Sequence, residues 1–279
     1  MRGARRVAHL VLTPGSSPAV WRRFAAWAER RSVYDDASQS LTVLEGPLAG
    51  ITRRGPFVFT DPAFAHGRYE PEIVEFLAEH CRPGDIAFDV GANVGYHTML
   101  LSRLVGPEGR VVAFEPVPTT AGWLEETLRC NDLTNVTVVC TALGASTGVA
   151  SMRVGPASEA GLAHLVDSTT GYRSHFTEET RVIDVPIVSI DQLLAAGELP
   201  IPSLIKIDVE GAELQVLRGA SDTLASVRPT VVTELWGSVN VREGRRLLES
   251  SGYRVSTLRR WRYVVGGSEV EAENVVAAA

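Results

Sequence analysis

The sequence predicts an α/β fold built on a doubly wound, mostly parallel β-sheet. From residue 71 onward, short apolar runs typical of buried strands alternate with amphipathic helical patterns. The run IAFDV (86–90) has little polar content, as expected of a strand covered on both faces, and it leads through small residues into the helical pattern YHTMLLSRLV. A second strand, RVVAFEP, ends in Glu115, 20 residues after Gly95. These features place a cofactor pocket at the carboxyl end of the sheet.

The remaining elements continue this alternation. Pro71 opens a helix (PEIVEFLAEHC), and the segments TTAGWLEETLRCND and ELQVLRGASDTL are two further predicted helices. NVTVVCTALG (135–144), LIKID and PTVVTELWG are predicted strands of the same sheet. Residues 148–155 and 181–190 are predicted extended segments on either side of a polar insertion, 156–180. A helix (VREGRRLLESSG) and a strand pair (YRVSTL, WRYVVGG) with an antiparallel C-terminal strand close the fold.

The chain divides into three regions. Residues 1–65 form an N-terminal extension with an amphipathic helix at 17–31 and short strands at 41–60, a candidate lid or homo-oligomer contact. Residues 66–265 form the main domain, in which the insertion 156–180 faces the substrate. The tail 266–279 is expected to fray.

Composition narrows the classes of function. A net charge of -6 disfavours a nucleic-acid partner, and no run of 18 apolar residues predicts a membrane-spanning helix. The three cysteines lack metal-ligand spacing and are expected to be reduced, buried thiols. We therefore expect a cytoplasmic enzyme that acts on a small molecule.

The loop after the first strand discriminates between cofactors. Its pattern, Asp89-x-Gly91-x-Asn93-x-Gly95, lacks the G-x-G-x-x-G spacing that brings a pyrophosphate against bare backbone. A carboxylate at Asp89 would repel a pyrophosphate by about 4 kcal/mol at contact. The same carboxylate suits S-adenosylmethionine, which is cationic and has no phosphate, while Glu115 can accept from the ribose hydroxyls of either cofactor. The small and apolar residues at 140–143 leave room for an adenine ring.

FDVGANVGYHT, VVAFEP, TALG, LIKIDVEGAE and TELWG, in this order, resemble the FkbM family of S-adenosylmethionine-dependent methyltransferases. The resemblance covers roughly residues 66–237 and implies a Rossmann-like class I methyltransferase fold. It also implies methylation of hydroxyls of natural products or sugars. By position in the family motifs, the residues implied to bind the cofactor are Tyr69, Glu70, Asp89, Gly91, Asn93, Gly95, Glu115, Pro116, Thr141, Ala142 and Asp208.

The motif IKIDVEGAE supplies candidate catalytic groups. In a strand, Lys206, Asp208 and Glu210 point to one face. Because polar groups inside an apolar sheet are costly unless they are paired, Lys206 is expected to pair with Asp208 or Glu234. Asp208, Lys206 and Glu210, together with His97 at the start of the helix after the glycine loop, are the predicted catalytic residues.

Two further groups of side chains could take part in the chemistry. His164 and His175 in the insertion are alternatives to His97 as the general base. Asp208, Glu210 and Glu234 could offer oxygens to magnesium, but the adjacent acid pair common in such sites is missing, so no metal site is predicted.

The expected activity is O-methylation of a natural product or sugar hydroxyl. C- or N-methylation of an electron-rich ring stays open, because a carbon nucleophile needs little help from a base. A nicotinamide-dependent oxidoreductase and a non-catalytic binding protein are alternatives from other classes.

Overall fold

The computed structural model describes residues 34–35, 40–55, 62–155, 163–166, 180–265 and 268–278. Within these ranges the strands are β1 Tyr34–Asp35, β2 Ser40–Thr42, β3 Thr52–Arg54, β4 Ile86–Val90, β5 Arg110–Phe114, β6 Val136–Val139, β7 Ala142–Leu143, β8 Gly148–Val154, β9 His164–Leu165, β10 Arg181–Val188, β11 Leu204–Ile207, β12 Thr230–Trp236, β13 Arg254–Val265 and β14 Ser268–Ala278. The α-helices in the same ranges are α1 Pro62–Ala65, α2 Pro71–His80, α3 Tyr96–Val105, α4 Pro118–Cys130, α5 Ile190–Ala195, α6 Glu213–Arg218, α7 Ser221–Ser226 and α8 Ser238–Ser250.

The main sheet has seven strands in the order β13-β14-β12-β11-β4-β5-β6. Neighbours from β12 to β6 pair in parallel, while β14 is antiparallel to both β12 and β13. The predicted doubly wound, mostly parallel sheet is therefore confirmed. The chain order reverses between β4 and β11, which is where ligands bind in open sheets of this kind.

Helices cover both faces of the sheet, as the apolar strands require. Ala87 and Val232 face one core, with Leu77 of α2 and Met99 of α3. The residues next to them along the same strands, such as Phe88 and Val231, face a second core, which α6, α7 and α8 cover. Burial on both faces explains why these strands are apolar without alternation.

Helix ends follow local sequence signals. Pro71 and Pro118 occupy the first turns of α2 and α4, where a missing N–H costs nothing. α3 ends before Gly106, whose φ of 66° favours glycine. Ser189 caps α5 by accepting from the Gln192 N–H.

The prediction of one continuous strand over residues 135–144 is wrong, because this segment forms two shorter strands, β6 and β7. The chain turns at Thr141, whose N–H bonds the Val139 carbonyl at 2.8 Å. Beyond this turn β7 leaves the main sheet and pairs in parallel with β10, in a second sheet of order β7-β10-β8-β9. The extended segments predicted at 148–155 and 181–190 are the antiparallel pair β8 and β10 of this second sheet.

The tail predicted to fray is instead β14, inserted between β12 and β13. Its inner residues Val275 and Ala277 are fully buried. Glu273 is 1% exposed and is neutralised by Arg245 at 2.9 Å and Arg260 at 3.4 Å. These distant partners let an acidic segment enter the sheet. The strand pair predicted upstream is one strand, β13, with an irregularity between Thr257 and Arg259.

Residues 40–55 pack onto the main domain. Leu41 and Leu48 are fully buried in the core that α2 and α3 share. The Thr52 N–H donates to Asn131 Oδ1 at 2.9 Å, which ties β3 to the end of α4. The helix predicted at 17–31 and most of the insertion 156–180 lie outside the described residues. In the described ranges no helix is both long and apolar enough to cross a membrane.

Candidate active site

The loop between β4 and α3 turns through residues with left-handed backbone. Gly91, Asn93 and Gly95 have φ of 79°, 51° and 91°, and asparagine tolerates this left-handed region better than most residues with a side chain. A Cβ on Gly91 would lie 1.8 Å from the Asp208 carbonyl oxygen. Glycine is therefore required both for the turn and for close packing of this loop on the end of β11.

Asp89 lies beneath this loop rather than at its mouth. Its side chain is fully buried. Thr98 Oγ1 donates to Asp89 Oδ2 at 2.6 Å, and the Lys206 ammonium lies 3.4 Å from Oδ1. Burial raises the pKa of Asp89, and Lys206 and Thr98 oppose that rise. The carboxylate thus anchors the loop from inside the protein, and in this conformation it has no surface to offer a ligand.

Lys206, the only lysine of the chain, joins the loop to the neighbouring strand. Parallel register places Lys206 beside Asp89, and Nζ lies 3.5 Å from Asp208 Oδ2 and donates to the Gly91 carbonyl at 3.3 Å. The predicted pairing with Asp208 is confirmed. Burial alone would lower the pKa of Lys206, but Asp89, Asp208 and Glu70 outweigh burial and raise it. The side chain is therefore a fixed ammonium, which is unsuited to accept a proton.

Glu115, at the end of β5, faces the same loop. Its Oε2 accepts from the Asn93 N–H and its Oε1 from the Val117 N–H, both at 2.9 Å. Burial raises the pKa of this carboxyl to about 7, although the two amide bonds oppose the rise. Each oxygen keeps a second lone pair, so the group can still accept from a ribose hydroxyl.

The ends of β5 and β6 meet where the adenine was predicted. The Cys140 thiol lies 3.7 Å from the Pro116 carbonyl, and Ala142 is 7% exposed beside half-buried Thr141. Cys140 itself is exposed, unlike the buried thiol expected. This arrangement leaves small side chains and backbone groups at the site predicted for the ring.

Three carboxylates meet on the other side of β11. One oxygen from each of Glu70, Asp208 and Glu234 lies within 4.8 Å of the others. They line an open cavity whose walls are Glu70, Ile73, Lys206, Ile207, Asp208, Val232, Thr233, Glu234 and Asn274. Burial and mutual repulsion raise the pKa of Glu234 well above its usual value. We call this group the acid triad.

Glu70 reaches the triad from a strained turn. Its backbone is left-handed, with φ of 44°, just before Pro71 opens α2. Its Oε2 lies 3.4 Å from His97 Nε2. Burial raises the pKa of Glu70 to about 7, while burial and then Lys206 lower that of His97. His97 is consequently a neutral imidazole behind Glu70, and the Tyr69 ring lies 6.0 Å from it.

Of the four predicted catalytic residues, Lys206 and Asp208 line the cavity, whereas His97 and Glu210 do not belong to its walls. Glu210 sits in the turn after β11, with φ of 54°, outside the triad, so the strand does not extend far enough to align it with Asp208. His164 is 3% exposed in β9 of the small sheet. His175 lies outside the described residues.

Three polar residues of the site were not predicted from the sequence, namely Thr98, Glu213 and Asn274. Thr98 fixes Asp89, and Glu213 Oε1 accepts from the Val209 and Gly211 N–H groups at 3.1 and 2.8 Å, which shapes the turn after β11. An acid in the first turn of a predicted helix was the available signal for Glu213. The sequence offers no signal for Asn274, because it lies in the tail predicted to fray.

Comparison with known proteins assigns the family. Residues 89–255, more than half of the chain, match the Methyltransferase FkbM domain. The chain belongs to the FkbM methyltransferase family. It is 31% identical over 184 residues to the hexuronic acid methyltransferase AglP of Haloferax volcanii, covering 66% of this chain and 70% of the relative. It is 29% identical over 161 residues to the 31-O-demethyl-FK506 methyltransferase FkbM of Streptomyces tacrolimicus, covering 50% and 61%.

A solved FkbM methyltransferase from Methylobacillus flagellatus KT aligns with 72% of this chain and 50% of its own, at 18% identity and a TM-score of 0.45. The family match confirms the sequence-based recognition and the assignment as an S-adenosylmethionine-dependent methyltransferase. The order and directions of the strands confirm the Rossmann-like fold. The nicotinamide alternative finds no support among these relatives.

The charges of this FkbM methyltransferase site fit a cationic donor. Glu115 and Asp208 flank the glycine loop, whereas Asp89 is buried beneath it, and in the described part of the chain Lys206 contacts both aspartates. A diphosphate would meet this acidic surface at a cost, whereas a sulfonium and an ammonium suit it. The residues present therefore fit S-adenosylmethionine.

Proposed function

We propose that this methyltransferase acts on a hydroxyl oxygen of a small molecule, either a natural product or a sugar. The observation that carries the proposal is the acid triad of Glu70, Asp208 and Glu234. Its cavity opens at the ends of β11 and β12, next to the loop assigned to the methyl donor. Ligands of open α/β sheets bind at these carboxyl ends.

Donor and acceptor would thus lie on two sides of Lys206. Bound S-adenosylmethionine supplies a methyl group activated by the sulfonium. On the donor side, we assign the loop from Gly91 to Gly95 to the methionine end and Glu115 to the ribose. Lys206 is a positioning residue in this scheme, because it holds the Gly91 carbonyl, Asp89 and Asp208 in one arrangement.

The polar character of the cavity favours oxygen as the methylated atom. A hydroxyl must lose its proton during transfer, whereas an electron-rich ring carbon needs little help from a base. The carboxylates of the triad, with neutral His97 behind Glu70, are proton acceptors at the required place. The described walls of the cavity hold aliphatic but no aromatic side chains, an environment poorly suited to bind a flat ring.

The relatives support small-molecule acceptors. One is named for hexuronic acid and another for 31-O-demethyl-FK506. A polar sugar or polyol hydroxyl is compatible with the carboxylate-lined cavity, and it would be recognised through hydrogen bonds to these acids.

Two measurements test the proposal. Calorimetry with S-adenosylmethionine should show binding that Glu115→Ala weakens, while Glu243→Ala, an exposed change on α8, leaves it unaltered. Incubation with an isotope-labelled methyl donor and separate pools of sugars, aliphatic alcohols, phenols and amines should then label a hydroxyl oxygen. Label on carbon or nitrogen in the product would refute O-methylation, and absence of donor binding would refute the assignment of the loop.

A further inference from the structure

If its three carboxyl groups were all ionised, the acid triad would carry more negative charge than its neighbours neutralise. Lys206 contacts Asp208, but it shares its charge with the fully buried Asp89. Arg259 forms an ion pair with Glu72 at 3.6 Å. Within the described ranges no cationic side chain forms an ion pair with Glu234. Three clustered carboxylates with this little compensation are unfavourable unless a further cation or protons balance them.

A buried amide faces the same cavity. Asn274 is 5% exposed, and in the antiparallel pairing of β14 with β12 it lies directly opposite Glu234, so both side chains project from the same face. It lines the cavity with the triad. Its side chain makes no hydrogen bond within the part of the chain that the structure describes. A buried amide without a protein partner normally has a bound one.

We propose that Glu70, Asp208 and Glu234, with the amide oxygen of Asn274, bind a hard divalent cation of the magnesium or calcium class. Carboxylate and amide oxygens are the ligands that these ions prefer. Oxygens on opposite sides of such an ion are separated by about 4 to 5 Å, twice the metal–oxygen distance. The mutual separations in the triad, at most 4.8 Å, lie within this span.

The ligand set also defines the kind of ion. Among these four side chains there is no thiolate or imidazole, which disfavours zinc and copper. If the proposed function is correct, on which this step rests, a cation here would lie on the acceptor side of Lys206. There it would bind the acceptor hydroxyl as a further oxygen ligand and stabilise the developing negative charge.

Manganese, a paramagnetic ion with similar ligand preferences, is the probe. We would titrate the full chain with Mn²⁺ alone, without donor or acceptor, and follow free Mn²⁺ by electron paramagnetic resonance, with Mg²⁺ and Ca²⁺ as competitors. The wild type should bind one ion per chain. Glu234→Gln should weaken binding by about tenfold or more. Glu75→Gln, an exposed change on α2, should leave binding unchanged.

Asn274→Asp is the decisive second variant, because it adds a carboxylate to the ligand set. It should tighten binding several-fold, since affinity rises with ligand charge. The same ions should raise the unfolding temperature of the wild type and of Asn274→Asp.

No saturable binding to the wild type at millimolar Mn²⁺ would overturn the proposal. Binding that neither Glu234→Gln nor Asn274→Asp alters would also overturn it. If Glu234→Gln does not fold, the change in affinity of Asn274→Asp decides. Because the titration contains no methyl donor, its outcome is independent of whether O-methylation is observed.

Discussion

Replacing Lys206 by methionine is expected to destabilise the protein by about 3 to 5 kcal/mol at neutral pH. The Lys206 side chain is 6% exposed and the carboxylate of Asp89 is fully buried, so solvent screens their interaction little. Methionine keeps most of the chain length and removes the charge. Asp89 would retain the hydroxyl of Thr98 and lose its cation.

Two estimates of the magnitude agree. At the 3.4 Å separation of Lys206 Nζ and Asp89 Oδ1, the Coulomb attraction at an effective dielectric constant of 20 is about 5 kcal/mol. The variant loses this attraction, but it also avoids the cost of burying an ammonium group, which offsets part of the loss. Alternatively, Asp89 takes up a proton in the variant. In the unfolded chain the carboxyl of Asp89 has a pKa of about 3.9, so holding it protonated in the folded variant at pH 7 costs about 4 kcal/mol.

The second estimate also fixes the pH dependence. In the variant, the folded state would bind a proton at Asp89 that the unfolded state releases above pH of about 4. The stability of Lys206→Met relative to wild type should therefore fall by up to about 1.4 kcal/mol for each pH unit as the pH rises. Near pH 4 the variant should lose little stability.

Urea unfolding of wild type, Lys206→Met, Asp89→Asn and the double variant at pH 5 and pH 7.5 provides the assay. The double variant should be more stable than the sum of the single losses predicts, with a coupling energy of about 2 kcal/mol or more. Arg218→Met, which removes a half-exposed cation from its pair with Glu243, should cost less than about 1 kcal/mol. A loss below about 1 kcal/mol for Lys206→Met, or one that is equal at both pH values, would refute this reasoning.

Two more substitutions probe the loops around the site. Gly91→Ala should lower the free energy of unfolding by about 1 kcal/mol because of its φ of 79°, and by more because the new Cβ collides with the Asp208 carbonyl; it should also weaken binding of S-adenosylmethionine. In the control Gly84→Ala, φ is 91° but no atom lies near the new Cβ, so only the cost of the backbone conformation is expected. Equal losses for the two variants in urea unfolding would contradict the argument. Because burial raises the pKa of Glu213 from 4.5 to about 7, the folded state binds more protons than the unfolded state between these values, and ionisation of this group lowers stability as pH rises. The stability of Glu213→Gln relative to wild type should therefore increase by up to about 3 kcal/mol between pH 4.5 and pH 8. Glu198→Gln, a change at an exposed residue, should show no such increase. Thermal unfolding over this pH range is the measurement, and a difference in stability between Glu213→Gln and wild type that does not change with pH would contradict the prediction.

The loop after β4 was predictable because its determinants are local. An apolar strand, an acid at its end and small residues after it specify β4, the loop and α3 within one continuous segment. The helix YHTMLLSRLV has the bounds predicted from sequence, Tyr96–Val105. Local sequence did not reveal whether Asp89 faces the ligand or the interior. That depends on Lys206, which is supplied by a strand more than a hundred residues later.

The acid triad and Asn274 were predicted less well because they come from distant segments of the chain. Neighbouring strand ends bring Asp208 and Glu234 together, which a parallel sheet makes foreseeable. Asn274 enters because β14 inserts beside β12, and the buried Glu273 of the same strand pairs with Arg245 of α8. A buried ion pair between α8 and the last strand is not encoded by any local pattern.

The presence of a single lysine in an arginine-rich chain has a structural reason. Lys206 Nζ has three acceptors within 3.5 Å, namely Asp89, Asp208 and the Gly91 carbonyl, and they come from strand β4 and from the loops after β11 and β4. A compact ammonium donates in three directions, whereas a guanidinium presents its donors in one plane and occupies more volume. Because those acceptors belong to the donor loop on one side and to the acid triad on the other, the position of this one nitrogen determines how the two halves of the site are spaced. Under the proposed function, Lys206 keeps its proton and does not react, and it would act by setting the alignment on which methyl transfer depends.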